Sequence, residues 1–129
     1  MSERIYVVIP EIIQITGTAE ERKDVIQPAG RQIAQACHVV SKLRHREKKW
    51  PRSSQKAFEP VTTIILQARD SNELYHIYSL LLAENLNPVT FEDTNTEYGD
   101  RSWATALAVF ASQEDVVGIL DYLPLWKVN

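Results

Sequence analysis

Cysteine is almost absent from this sequence of 129 residues, which contains Cys37 alone. A single cysteine excludes a disulfide within the chain and every zinc motif that is built on a cysteine pair. Clustered carboxylates are missing as well, so we expect neither a metal ion nor another cofactor. The helical pattern around Cys37 places it on an apolar face, which favours a small buried hydrophobe over a nucleophile.

Long hydrophobic runs are also missing. The apolar stretch at residues 5–9 ends at Pro10 and Glu11, well short of a signal-peptide core or a membrane span. We therefore expect a cytoplasmic protein with no membrane partner. The length and the 44% hydrophobic content are typical of one folded domain over residues 1–129.

An overall excess of positive charge is absent, since the net charge is −3. Residues 42–56 nevertheless contain seven cations and one carboxylate, a net charge of +6, which leaves −9 for the rest of the chain. With Trp50 and Phe58 nearby, this basic run is suited to RNA phosphates and an unstacked 3′ end. The alternative is an ordinary helix end, where cations interact favourably with the helix dipole.

Short runs of β-branched and aromatic residues predict four strands, at residues 5–9, 61–68, 89–92 and 103–111. Residues 10–29 are expected to form a long connection with room for one helical turn. Because helices are predicted between these strands, the sequence indicates an α/β fold. The expected architecture is a three-layer sandwich with a four-stranded mixed sheet covered by helices on both faces.

Helical spacing predicts three helices. The first spans residues 31–48, with Ile33, Cys37 and Val40 as its apolar face. The second follows a capping box at Asp70 and Glu73; its apolar stripe contains Leu74, Ile77, Tyr78, Leu81 and Leu82. The last begins after a cap formed by Ser112 and Asp115; its apolar residues are Val116, Val117, Ile119 and Leu120.

Two motifs resemble the type II peptidyl-tRNA hydrolase family. Residues 28–38 are similar to the family's first-helix signature, in which Gly-Lys precedes an Ala-Ala-Gln-Cys-x-His run; the matching positions are Gly30, Ala34, Gln35 and His38. The family also carries an Asp at the end of its third strand and a Thr twelve residues later, a spacing that Asp93 and Thr105 reproduce. The first motif is especially similar to the peptidyl-tRNA hydrolase domain-containing subgroup.

The sequence departs from the family pattern at two places. Arg31 stands where the family places its active-site Lys; arginine keeps the charge but can scarcely lose a proton. The family's Gly-Arg-Thr-Gln run after the Asp is replaced by residues 95–98, in which Glu97 is acidic. That change weakens the expectation of an RNA backbone along this loop.

The resemblance implies hydrolysis of the ester between a peptide and tRNA, without a metal. It implies that Asp93 orients or activates water, that Arg31 stabilises negative charge or holds the terminal phosphate, and that Thr105 and Gln35 position groups by hydrogen bonding. His38 is a candidate acid or base, since imidazole exchanges protons near neutrality. The residues expected to bind the substrate are Gln35, Lys42, Arg46 and Lys49.

Each candidate also has an ordinary structural explanation. Arg31, Gln35 and His38 share a helix face at i, i+4 and i+7, which is equally typical of a solvated surface. Asp93 is also explained as a strand-end residue in a turn or cap, and Thr105 as a half-buried strand threonine.

Three functions follow as hypotheses. The first is a hydrolase acting on peptidyl-tRNA or a related ester. The second is a non-catalytic relative that acts as a binding or interaction module through the apolar tail at residues 123–126. The third is an enzyme for a small substrate that lacks a phosphate backbone, as the net negative charge would suit. A homodimer is compatible with the exposed-looking Leu125 and Trp126.

Overall fold

The computed structural model describes residues 3–16, 22–46, 61–94 and 102–127. These residues form five strands, two α-helices and one short 3₁₀ helix. In chain order the elements are β1 (Arg4–Thr16), β2 (Arg22–Ile26), α1 (Ala29–Arg46), β3 (Thr63–Asp70), α2 (Ser71–Ala83), β4 (Val89–Thr94), β5 (Ser102–Ala111) and the 3₁₀ helix Glu114–Val116. The predicted α/β class is therefore confirmed.

All five described strands belong to one sheet. Strand β1 pairs in parallel with β3 and in antiparallel fashion with β2 and β5, while β4 pairs antiparallel with β5. The expectation of four strands is wrong, because β2 adds a fifth. Within the described ranges β4 pairs with β5 alone, so it lies at an edge of the sheet.

The additional strand lies in the segment that was expected to be a long connection. Strand β1 continues through Pro10, and its second half pairs with β2 in a register that sets Ile12 opposite Ile26. Proline removes one backbone donor but keeps its acceptor: Gln27 Nε2 donates to Pro10 O at 2.8 Å, and Gln27 N donates to Glu11 O at 2.9 Å. Proline thus does not end the strand, and the β-branched residues around it favour pairing over a loop.

The helices pack against opposite sets of β1 side chains. Ile5, Val7 and Ile9 join a core cluster with α1, whereas Tyr6 and Val8 join a second cluster with α2 and the carboxyl-terminal segment. This division follows from the alternation of side chains along a strand.

The predicted apolar face of α1 is wrong at two of its three residues, since only Val40 packs, half-buried, against the core. Ile33 and Cys37 are exposed, so Cys37 is not a buried hydrophobe. The buried residues are Gln32, Gln35, Ala36, Val39 and Leu43. This stripe also has helical spacing, and its two glutamines are buried because partners elsewhere in the fold bond their amide groups. The prediction used hydrophobicity alone and therefore chose the neighbouring stripe, which contains Ile33 and Cys37.

The predicted cap of α2 is confirmed at Asp70, but the reciprocal bond of Glu73 goes to the amide of the residue before Asp70. The Glu73 amide donates to Asp70 Oδ1 at 3.0 Å, and Glu73 Oε1 accepts from the Arg69 amide at 2.8 Å. The predicted apolar stripe is correct at Leu74, Ile77 and Leu81, which are fully buried, but Leu82 is 46% exposed.

The predicted last helix is wrong, because only Glu114–Val116 is helical and it is a 3₁₀ helix. The Ser112–Asp115 cap forms, with the Ser112 amide 3.0 Å from Asp115 Oδ2. Gly118 then takes a φ of +81°, which leaves the helical region and turns the chain. The segment still buries Val116, Ile119, Leu120 and Leu123.

The carboxyl-terminal tail, residues 124–127, lies against strand β3. The Gln67 amide donates to Pro124 O at 2.9 Å, and the Trp126 amide donates to Ile65 O at 2.9 Å. Leu125 is 62% exposed as expected, but Trp126 is half-buried. No helix in the described ranges is long and apolar enough to cross a membrane.

Candidate active site

Helix α1 runs along strand β4 in the opposite direction, so that successive side chains on one helix face meet successive residues of the strand. The contacts, from the beginning of the helix to its end, are Gln35 with Asp93, His38 with Phe91, Lys42 with Thr90, and Arg46 with Pro88 and Asn87. Phe91 and Asp93 are two positions apart and therefore point to the same side of the strand. The candidate site lies where the first turns of α1 meet the end of β4.

Two donors from α1 converge on one oxygen of Asp93. Gln35 Nε2 donates to Asp93 Oδ2 at 3.0 Å, and Arg31 Nη2 lies 3.4 Å from the same oxygen. The Arg31 and Asp93 side chains are 38% and 32% exposed, so solvent reaches the pair. No described residue donates a hydrogen bond to Oδ1. A carboxylate with one oxygen held, beside a permanent cation, can accept a proton from water while the cation stabilises developing negative charge.

Gln35 is the most buried of Arg31, Gln35 and Asp93, at 4% exposure. Its amide nitrogen bonds Asp93, but its Oε1 has no hydrogen-bond partner in the described part of the protein. A buried acceptor without a donor costs about 1–3 kcal/mol. A donor group on a bound molecule at this site would remove that cost.

Thr105 lies at a β-bulge. Phe91 is opposite Ala106 and Glu92 is opposite Ala104, so Thr105 is an extra residue on β5. Its hydroxyl, in a residue only 3% exposed, donates to Phe91 O at 3.3 Å. A bulge bends and twists its strand pair, and this one comes just before Asp93. Among the described contacts, the Thr105 hydroxyl does not bond Arg31, Gln35 or Asp93.

His38 stacks on Phe91 at the exposed surface. The two ring centroids are 4.8 Å apart and the ring planes are inclined by 24°. Within the described residues, no hydrogen bond joins the imidazole to Asp93 or Arg31. His38 is thus a neighbour of the Asp93 cluster along the same helix face, one turn beyond Gln35.

The predicted substrate-binding cations bond the protein's own backbone. Lys42 Nζ donates to Thr90 O at 2.8 Å, and Arg46 donates to Pro88 O at 3.3 Å and to Asn87 O. These bonds attach the end of α1 to the beginning of β4 and discourage a further strand from adding to this edge. Lys49 lies outside the described residues.

The sequence-based predictions missed a set of hydrogen bonds behind the site. Trp126 Nε1 donates to Gln32 Oε1 at 2.8 Å, and Gln32 Nε2 donates to Gln27 O at 2.7 Å. The sequence contained a signal for the burial of Gln32, because this residue shares a helical stripe with the apolar Ala36, Val39 and Leu43. In the described ranges, no group of three or more His, Cys, Asp or Glu side chains could hold a metal ion.

The fold and the site together define an α/β domain whose polar site joins the first turns of a helix to the end of an edge strand. A family model described as "Peptidyl-tRNA hydrolase PTH2" matches residues 21–126. The match covers most of the 129 residues and includes α1, β4 and β5. The chain therefore belongs to the type II peptidyl-tRNA hydrolase family. The comparison with curated proteins finds no match.

Proposed function

We propose that this protein is a cytoplasmic, metal-independent hydrolase that cleaves the ester between a peptide and tRNA, with Asp93 and Arg31 as its catalytic residues. Family membership supports the general activity. The observation that carries the proposal is the Asp93 carboxylate, whose Oδ2 is held by Gln35 and Arg31 while no described residue bonds Oδ1. The proposal takes residues 1–129 as one domain with the architecture of a three-layer sandwich.

In the proposed reaction, Asp93 Oδ1 accepts a proton from a water molecule as the water oxygen attacks the ester carbonyl carbon. The carbonyl oxygen becomes negatively charged, and the Arg31 guanidinium stabilises it or anchors the terminal phosphate. When the carbon–oxygen bond to the ribose breaks, the proton held by Asp93 passes to the ribose oxygen. The products are a tRNA with a free terminal hydroxyl and a peptide carboxylic acid, which releases its proton to solvent and becomes a carboxylate.

The other candidates would assist in different ways. Gln35 would fix the carboxylate through its amide nitrogen, while its Oε1 is buried and has no partner among the described residues. Thr105 would act through the bulge that precedes Asp93. His38 is exposed and stacked on Phe91, so it is better suited to contacting the substrate beside Asp93 than to replacing it as the base.

The test of this proposal is release of peptide from an N-blocked peptidyl-tRNA by the purified protein, with and without a chelator. We expect turnover that survives chelation. In Arg31→Ala, turnover should fall by roughly 10²–10³-fold, the usual cost of removing one group that stabilises an oxyanion. Arg31→Lys should retain most of the activity, because it keeps the charge. Equal loss in both variants would contradict a role for Arg31 as a cation.

A second candidate function is a binding module without catalysis. It is favoured by Arg31, since an arginine in the position of the family's Lys cannot donate its proton and already forms an ion pair with Asp93. This candidate predicts binding of tRNA, or of a protein at the tail, with no release of peptide. If well-folded wild-type protein binds tRNA or a protein but releases no peptide, the result supports this second candidate.

Contact between tRNA and α1 can be tested through Lys42. Its ammonium group has three donors, and Thr90 O accepts one of them. If Lys42 also contacts a phosphate, Lys42→Ala should reduce the slope of log Kd against log salt by about one. Arg69→Ala is the control, because Arg69 is an exposed cation near the end of β3 and should leave the slope unchanged. Equal slopes for wild type and Lys42→Ala would exclude the contact.

A further inference from the structure

The first turn of α1 supplies Arg31, and the second supplies Gln35. This part of the helix has weak local support: it contains Gly30, which is unfavourable in a helix, and no acidic residue in its first turn. Contacts with other segments must therefore fix its position. The contacts that do so converge on Gln32, which is 6% exposed and adjacent to Arg31.

The side-chain amide of Gln32 is fixed at both ends. Its Oε1 accepts from the Trp126 indole at 2.8 Å, and its Nε2 donates to Gln27 O at 2.7 Å. An indole N–H can only donate and a backbone carbonyl can only accept, so the two bonds allow one orientation of the amide. A buried amide bonded in this way resists rotation or displacement of its helical turn, since either would leave polar groups unpaired.

The donor of this bond belongs to a segment that is itself anchored. The Trp126 backbone amide donates to Ile65 O at 2.9 Å, and Pro124 O accepts from the Gln67 amide at 2.9 Å. Backbone hydrogen bonds to strand β3 therefore fix the segment that carries the indole. A continuous set of hydrogen bonds runs from β3 through Trp126 to Gln32, beside the two donors of Asp93.

We propose that Trp126 is a positioning residue for the candidate site: its indole N–H fixes the first turns of α1 so that Arg31 and Gln35 meet Asp93. This inference rests on the proposed function only for its effect on turnover. Trp126 does not touch Asp93 in the described contacts, so it would act through Gln32. Loss of the indole N–H should therefore displace Arg31 and Gln35, the two residues that donate to Asp93, while both remain in the protein.

The test replaces Trp126 with Phe, which keeps an aromatic ring and removes the donor. Tyr122→Phe is the matched control, because it removes a hydroxyl donor from an exposed aromatic ring in the same terminal segment. Gln32→Met removes the acceptor and serves as the second variant if Trp126→Phe does not fold. The first readout is the chemical shift of the Gln35 side-chain amide, measured by NMR in protein shown to be folded.

We expect Trp126→Phe and Gln32→Met to move the Gln35 amide resonances and Tyr122→Phe to leave them in place. In peptide release, we expect kcat to fall by about 10- to 100-fold, as for a misplaced catalytic group, with little change in KM. The double variant should lose no more than Gln32→Met alone, because that variant already removes the acceptor of the Trp126 indole together with the bond to Gln27 O.

Gln35 resonances that stay unchanged in Trp126→Phe would overturn the proposal. Losses of kcat that add up in the double variant would also overturn the proposal. If wild-type protein releases no peptide, the proposed function fails, but the Gln35 resonances still decide whether Trp126 positions the site.

Discussion

Replacing Asp93 with asparagine is expected to lower kcat for peptide release by about 10²–10⁴-fold, the usual contribution of a general base. Asparagine has the same shape, and its single oxygen would turn toward Gln35 and Arg31, which now donate to Oδ2. Its NH₂ group would then occupy the place of Oδ1 and present a donor where the reaction needs an acceptor. The variant should remain folded, because the exposed ion pair with Arg31 contributes little to stability.

Glu92→Gln is the matched control. Glu92 is the neighbouring carboxylate on β4, it is exposed, and the alternation of the strand points it away from Asp93. The two variants remove the same charge one residue apart, so only a local role of Asp93 can separate them. A similar loss of kcat in both variants would show that the effect arises from net charge, and an unchanged kcat in Asp93→Asn would rule out Asp93 as the base.

Replacing Leu81 with alanine should lower the free energy of unfolding by about 2–5 kcal/mol, the range for a leucine removed from a packed core. Leu81 is 0% exposed and packs in the cluster between α2 and the sheet. The next residue, Leu82, is 46% exposed on the same helix. Leu82→Ala should therefore change the free energy of unfolding by no more than about 0.5 kcal/mol.

Urea unfolding followed by circular dichroism measures both values on the same helix. The comparison tests the orientation of α2, because the two substitutions are chemically identical and differ only in burial. Equal losses of stability would mean that α2 is rotated relative to the sheet and that Leu82 also faces the core.

The sequence was informative wherever a local pattern has one physical solution. Short β-branched runs located β3, β4 and β5, and the spacing of Asp70 and Glu73 predicted a cap that the structure contains. A local pattern did not predict the structure where the same residues are compatible with two conformations. Pro10 can end a strand or lie within one, and pairing with β2, a segment further along the chain, decided between them.

The local pattern did not decide the rotation of α1, for a related reason. Two neighbouring stripes of this helix have helical spacing, and the one that is buried contains Gln32 and Gln35. Their burial depends on Trp126 and on Asp93, which are distant in sequence. The resemblance to a family grouped Arg31 with Asp93, but only the packing of α1 along β4 brings the two side chains within 3.4 Å.

The strand order has a consequence for when this site can exist during synthesis. Arg31 and Asp93 are separated by 62 positions, so α1 leaves the ribosome well before its partner strand. Strand β4 joins the described sheet only through β5, which lies between β1 and β4. A nascent chain that has released β4 but not β5 lacks the strand with which β4 pairs. We therefore expect the Asp93 cluster to be completed late in vectorial folding, when β5 joins β1 and fixes β4 beside α1.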